Sequence, residues 1–143
     1  MVARDPSISA AVAKGRLELV HVNIGPTRIL GYPEGDAEKG KWKDYSSQTF
    51  SSCGQAAQHR VVLVDERFRV ACFLKMLKSM APEDLKRTQI LIHDYDRQKY
   101  HVVEEFAELV EKRNELALFH GKPDVSEVRL QEMILHSEKD PYL

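Results

Sequence analysis

Cysteine is nearly missing from this chain. Only Cys53 and Cys72 occur among its 143 residues, one in a polar stretch and one in an apolar, helix-like run. Two such thiols make neither a disulfide framework nor a zinc-ligand spacing, which points to a reducing compartment. Long apolar runs are missing too. No stretch approaches the ~18 consecutive apolar residues of a membrane span. The segment from Met1 to Lys14 carries Asp5 and has no apolar core of the kind a signal peptide needs. A soluble, cytoplasmic protein without a membrane partner is expected. An excess of one charge sign is also missing. Lys and Arg number 21 against 22 Asp and Glu, a net charge of −1, so no basic face is offered to a phosphate backbone and nucleic acid is not an expected partner. Internal repeats and low-complexity tracts are absent as well.

What is present is ordinary for a globular fold: 43% hydrophobic and 30% charged residues. The length suits one domain, residues 1–143, with a long loop region over 31–56. A domain of this size buries a core without a disulfide or metal staple. Asp5-Pro6 before Ser7 to Lys14 reads as a capped helix ended by Gly15. Leu17 to Val22 reads as a strand. Gly31 to Ser52 mixes glycine, proline, charge and serine, and reads as a surface loop with one helical turn near Tyr45.

The second half is more regular. Val61 to Val64 and Gln89 to Ile92 are short apolar runs of the sort found in strands buried on both faces. Phe68, Ala71, Cys72, Leu74, Met76 and Leu77 fall at helical spacings, and Pro82-Glu83-Asp84 is a helix-start signal. Val103, Phe106 and Val110 form one stripe of a further helix, with Glu104, Glu105, Glu108 and Glu111 turned to solvent. Leu116 to Phe119 is a last strand, and Val128, Gln131, Ile134 and Leu135 lie along a closing helix. Strands alternating with helices predict an α/β fold, a Rossmann-like and mostly parallel sheet flanked by helices on both sides.

Ligands of such sheets bind beyond the carboxyl ends of the strands. That rule selects Asn23, Asp65 and His93-Asp94-Tyr95. The Asp65 carboxylate can bind a cation, take a proton or hold a ligand hydroxyl; it can equally cap a helix starting near Arg67. Asp96 suffices to cap the helix expected near Arg97. His93 and Asp94 are then available as a base, a hydrogen-bonding clamp or, with Asp65, metal ligands, or as a buried histidine satisfied by its neighbour. No HxH or HExxH spacing supports the metal. Gly35 to Lys41 fits the glycine and lysine positions of a phosphate loop but meets Trp42 where Ser or Thr would hold magnesium. Cys53-Gly54 has no histidine placed to activate it.

Four stretches, Arg4-Asp5-Pro6, Leu17 to Pro26, Val62 to Cys72 and Ile90 to Tyr95 with Tyr100, resemble a branch of the class I S-adenosylmethionine-dependent methyltransferase-like proteins, in the same order through nearly the whole chain. The resemblance implies a doubly wound sheet with S-adenosylmethionine across its first four strand ends. It implies cofactor contacts at Asp5, Asn23 and Asp65, and acceptor chemistry at Asp65, His93 and Asp94. It also implies that Arg67, Arg69 and Tyr95 face a small-molecule methyl acceptor. The family's first strand and glycine-rich turn would precede Val2. Its ribose-clasping acid aligns with Ala3, leaving Asp5 as a poor substitute, and Glu66 stands where this branch has glycine. Without that central strand, two inner strands lose a shared partner and expose rows of backbone groups.

The chain is then expected to be a fragment, a homologue that no longer binds cofactor, or one that supplies the missing strand by pairing between subunits or by rearranging the sheet. A complete methyltransferase is the reading these departures oppose. Two other functions compete with a methyltransferase-derived domain. One is a non-catalytic interaction module, homo-oligomeric through exposed sheet edges. The other is a metal hydrolase built on Asp65, His93 and Asp94.

Overall fold

The computed structural model describes residues 5–52, 61–65 and 67–143. Ala3, Cys53 with Gly54, and Glu66, on which some expectations above rest, lie outside them.

Among the described residues four strands form one sheet: β1 (Val61–Val64), β2 (Gln89–Ile92), β3 (Ala107–Arg113) and β4 (Leu116–Gly121), in the order β1-β2-β4-β3. β1 and β2 run parallel, with Leu63 opposite Leu91. β4 lies antiparallel to both β2 and β3. The class is α/β, as the alternation of periods requires, but the sheet is mixed rather than mostly parallel. The cause is local. Asn114, at φ 51°, takes the left-handed conformation that a tight hairpin turn demands and that Asn tolerates, so β4 doubles straight back along β3.

Helix α1 (Pro6–Ala13) begins where Asp5 accepts hydrogen bonds from the amides of Ser7 and Ile8. Helix α3 (Arg69–Ser79) carries Val70, Phe73, Leu74, Met76 and Leu77 into the core at spacings of three and four. It packs with α5 (Glu127–Ser137), whose Leu130 and Ile134 are buried, over the sheet face that presents Ile90, Ile92, Ala117 and Phe119. Each such side chain, fully buried, stabilises the fold by ~1.5–3 kcal/mol. α4 (Pro82–Leu85) is a single turn, as its Pro-Glu-Asp start suggests. No helix among the described residues is long and apolar enough to cross a membrane.

Three elements depart from the sequence pattern. The segment after Lys41 is an 11-residue helix, α2 (Trp42–Ser52), rather than a loop with one turn. Its anchors are buried Trp42 and Ser46, four residues apart, with Trp42 and Tyr45 packed on Phe68; only one strongly apolar residue marks that face in the sequence. Leu17 to Val22, expected as a strand, joins no strand ladder among the described residues. The expected helix through Val103 and Val110 is instead a 3-10 segment, Gln98–Glu105, followed by strand β3. The glutamates are solvated; Glu104 and Glu105 end the 3-10 segment, while Glu108 and Glu111 decorate an edge strand with a bulge between Leu109 and Glu111. Charges on an edge discourage further pairing.

The expectation of helices on both faces also needs correction. Opposite α3 and α5, the stripe Leu63, Leu91 and Leu118 shares one face through the register. Leu63 is 60% exposed there and Val61 56%.

Candidate functional site

Parallel pairing sets the carboxyl ends of β1 and β2 side by side. The His93 amide donates to the Val64 carbonyl at 3.2 Å, so the ladder continues one step beyond the strands. Asp65 and His93, the residues after those strands, therefore meet: His93 Nδ1 lies 3.1 Å from Asp65 Oδ1. Asp65 is not the helix cap that its residue type also allowed. α3 opens after Phe68 without a side-chain cap, and the Asp65 carboxylate instead accepts from Arg69 Nη2 at 3.0 Å. Partial burial pushes the Asp65 pKa up, but the hydrogen bond from Arg69 and the charge and hydrogen bond of His93 outweigh it. The carboxyl is held below its usual value.

Asp94 sits at φ 59°, a region that short polar residues tolerate better than others. Its Oδ2 pairs with Arg69 Nη2 at 3.1 Å and Arg97 Nη2 at 2.7 Å. Arg69 is buried and gives its other terminal nitrogen to the Tyr100 hydroxyl at 2.7 Å. The Arg69 guanidinium thus ties both strand ends together. Glu115, in the β3–β4 turn, brings its carboxylate within 3.7 Å of His93 Nε2, and its carbonyl accepts from the Tyr95 amide.

The remaining sequence-selected residues go elsewhere. Tyr95, expected against an acceptor, is 1% exposed; its ring meets Phe119 edge-on and its hydroxyl donates to Glu104 Oε1 at 2.5 Å. Burial first, and Glu104 second, push its phenol pKa up, so it is a packed, neutral side chain. Asp5 is spent on capping α1. Asn23 Oδ1 accepts from the Gly25 amide at 3.0 Å, closing a turn in which Gly25, at φ 93°, leaves no room for a Cβ against Glu38. Asp96, expected to cap a helix, pairs with Lys112. Arg67 is 8% exposed, with its guanidinium 4.0 Å over the Tyr32 ring. Cys72 has its thiol pKa pushed up to about 12, chiefly by burial, and supplies no thiolate.

Arg97 and Glu115 were not selected from sequence. Arg97 carries a faint signal, the i,i+3 spacing from Asp94. Glu115 carries none, since its arrival depends on the hairpin. With it, His93 and Asp94 can place one ligand atom each within 4.8 Å of one another. Two guanidiniums already hold Asp94, so a dication there would have to compete with both. Of the residues where the resemblance implies cofactor contacts, Asp5 Oδ1 and Asn23 Oδ1 each accept from local backbone amides. A cavity of about 500 Å³ between α2, α3 and α5 lies away from this cluster and is crossed by the Lys75–Glu138 pair.

Fold and site together define an α/β domain with a polar, charge-tied cluster at the carboxyl ends of two parallel strands. Among solved structures, the chain is similar to the crystal structure of a methyltransferase-like protein from Silicibacter pomeroyi DSS-3. The TM-score is 0.72 at 27% sequence identity, over 94% of this chain and 71% of that one. The fold is therefore methyltransferase-like. No family model and no curated protein matches the sequence.

Proposed function

We propose that this chain is a domain derived from S-adenosylmethionine-dependent methyl transfer that retains the acceptor end of the cleft. The observation that carries the reading is the Asp65–His93 contact at adjacent parallel strand ends, in a fold shared with a methyltransferase-like protein. In the tautomer with the proton on Nδ1, His93 donates to Asp65. Nε2 is then left as an acceptor that can take a proton from a small-molecule methyl acceptor. Asp65 orients that ring, and Asp94 holds Arg69 and Arg97 beside it. Asp65, His93 and Asp94 thus act on the acceptor rather than on the methyl donor.

Calorimetric titration with S-adenosylmethionine tests the reading. Saturable binding is expected in the micromolar-to-millimolar range. No heat at all would remove the methyl-transfer reading for this chain.

A second reading, a non-catalytic module that associates with itself, is favoured by one observation: the apolar face at Val61 and Leu63 lies open at the sheet edge.

A further inference from the structure

Arg67 stands out from the other arginines at this end of the sheet. Arg69 and Arg97 both find carboxylates, whereas Arg67 is buried, pairs with no acid among the described residues, and leaves Nε without a hydrogen-bond partner. Phe68, between Arg67 and Arg69, has φ 55°, a strained value for a bulky residue. The kink sends the two guanidiniums apart, Arg69 to Asp65 and Arg67 to Tyr32. Burying a cation without a counter-charge is costly. Stacking on Tyr32 offsets only part of that cost.

The Tyr32 ring stacks at 4.9 Å on Tyr142, and both line a cavity of about 260 Å³. This is just under the ~300–1,000 Å³ typical of drug-sized pockets, so any occupant is small. Trp42 lines it too, and its indole N–H is buried without a partner. Arg28, Lys39 and Lys139 stand on the walls against two acids, Asp36 and Asp140. Behind Tyr142 lies Lys99, 5.2 Å from that ring. Its pKa is lowered first by burial, with Arg97 and Arg67 adding to the effect against Asp140 and Tyr32. Among the described residues, three cations, two acids and three aromatic rings thus line one small cavity, with Arg67 over the Tyr32 ring and Lys99 over the Tyr142 ring.

We infer that this cavity binds a small aromatic carboxylate. The negative charge complements Arg28, Lys39 and Lys139 on its walls and the buried Arg67 behind Tyr32, and the ring packs among Tyr32, Trp42 and Tyr142. Identifying this ligand as the methyl acceptor rests on the proposed function; its binding does not.

Trp42 is the only tryptophan in the chain, so its fluorescence and its indole NMR signal report on the cavity directly. Titration with benzoate in the absence of S-adenosylmethionine is expected to shift both signals to saturation, while neutral benzamide shifts neither. Lys39→Gln with Lys139→Gln, both at the surface, is expected to weaken benzoate at least about fivefold without changing the circular dichroism spectrum. Arg67→Lys, which keeps charge but loses the planar fork, is expected to weaken it further. Failure of benzoate to saturate, equal binding of benzamide, or unchanged affinity in the lysine variant would each overturn the inference. Tighter binding of inorganic phosphate than of benzoate would overturn the aromatic class. Because the titration needs no cofactor, its result is independent of the calorimetric one.

Discussion

Asp94 does two jobs that substitution can separate. Its backbone occupies a left-handed region and its carboxylate holds Arg69 and Arg97. Asp94→Asn keeps the conformational tolerance and loses the charge; it is expected to cost about 2 kcal/mol in urea denaturation, below the full cost of breaking a buried pair because Arg69 keeps Asp65. Asp94→Ala should cost about 1 kcal/mol more, from the left-handed backbone. The depressed pKa of Asp65 adds a signature in pH. A group with a lowered folded pKa contributes stability above its unfolded value and loses it as the pH falls through the folded one. The stability gap between wild type and Asp65→Asn should therefore be full above pH 3.8 and shrink below it. A gap that stays constant in acid would mean that the Arg69 and His93 contacts do not act through charge. From sequence, Asp65 and His93 were legible as candidates because they follow apolar runs. Their mutual contact was not, because it joins residues 28 apart.

At the scale of elements, close packing of α3, α4 and β4 turns on Gly121. A Cβ there would lie 2.6 Å from one Leu85 methyl carbon, 2.9 Å from a Leu77 methyl carbon and 3.1 Å from Leu85 Cβ. Gly121→Ala is expected to destabilise by about 1–2 kcal/mol, read as a lower denaturation midpoint with unchanged slope, because those leucines can give only partly. An unchanged midpoint would show that they repack freely. Most elements were legible: α1, β1, α3, β2, β4 and α5 follow their periodicity within a few residues. The failures share one cause. The stretch from Val103 to Val110 satisfies a helical stripe and a half-exposed strand about equally well, and the hairpin at Asn114 decided between them. α2 was hidden because serine and threonine dilute its pattern and its anchor, Trp42, packs on residues far along the chain.

For the whole molecule, the open face at Val61, Leu63, Leu91 and Leu118 bears on association. If the interaction-module reading holds, light scattering should show mass rising with concentration, and Leu63→Lys should return the chain to monomer with stability changed by no more than ~0.5 kcal/mol. A monomer at every concentration would remove that reading. The sequence by itself determined the α/β class, the alternation of elements and the polar residues at the strand ends, because these depend on local periodicity and on what directly follows an apolar run. Only the tertiary structure decided the direction of β4, the meeting of Asp65 with His93, the arrival of Glu115, and the burial of Arg67 without an acid among the described residues. A period of two is the same in parallel and antiparallel strands, and a side chain's partner is chosen by packing across the sheet rather than by its neighbours in the chain.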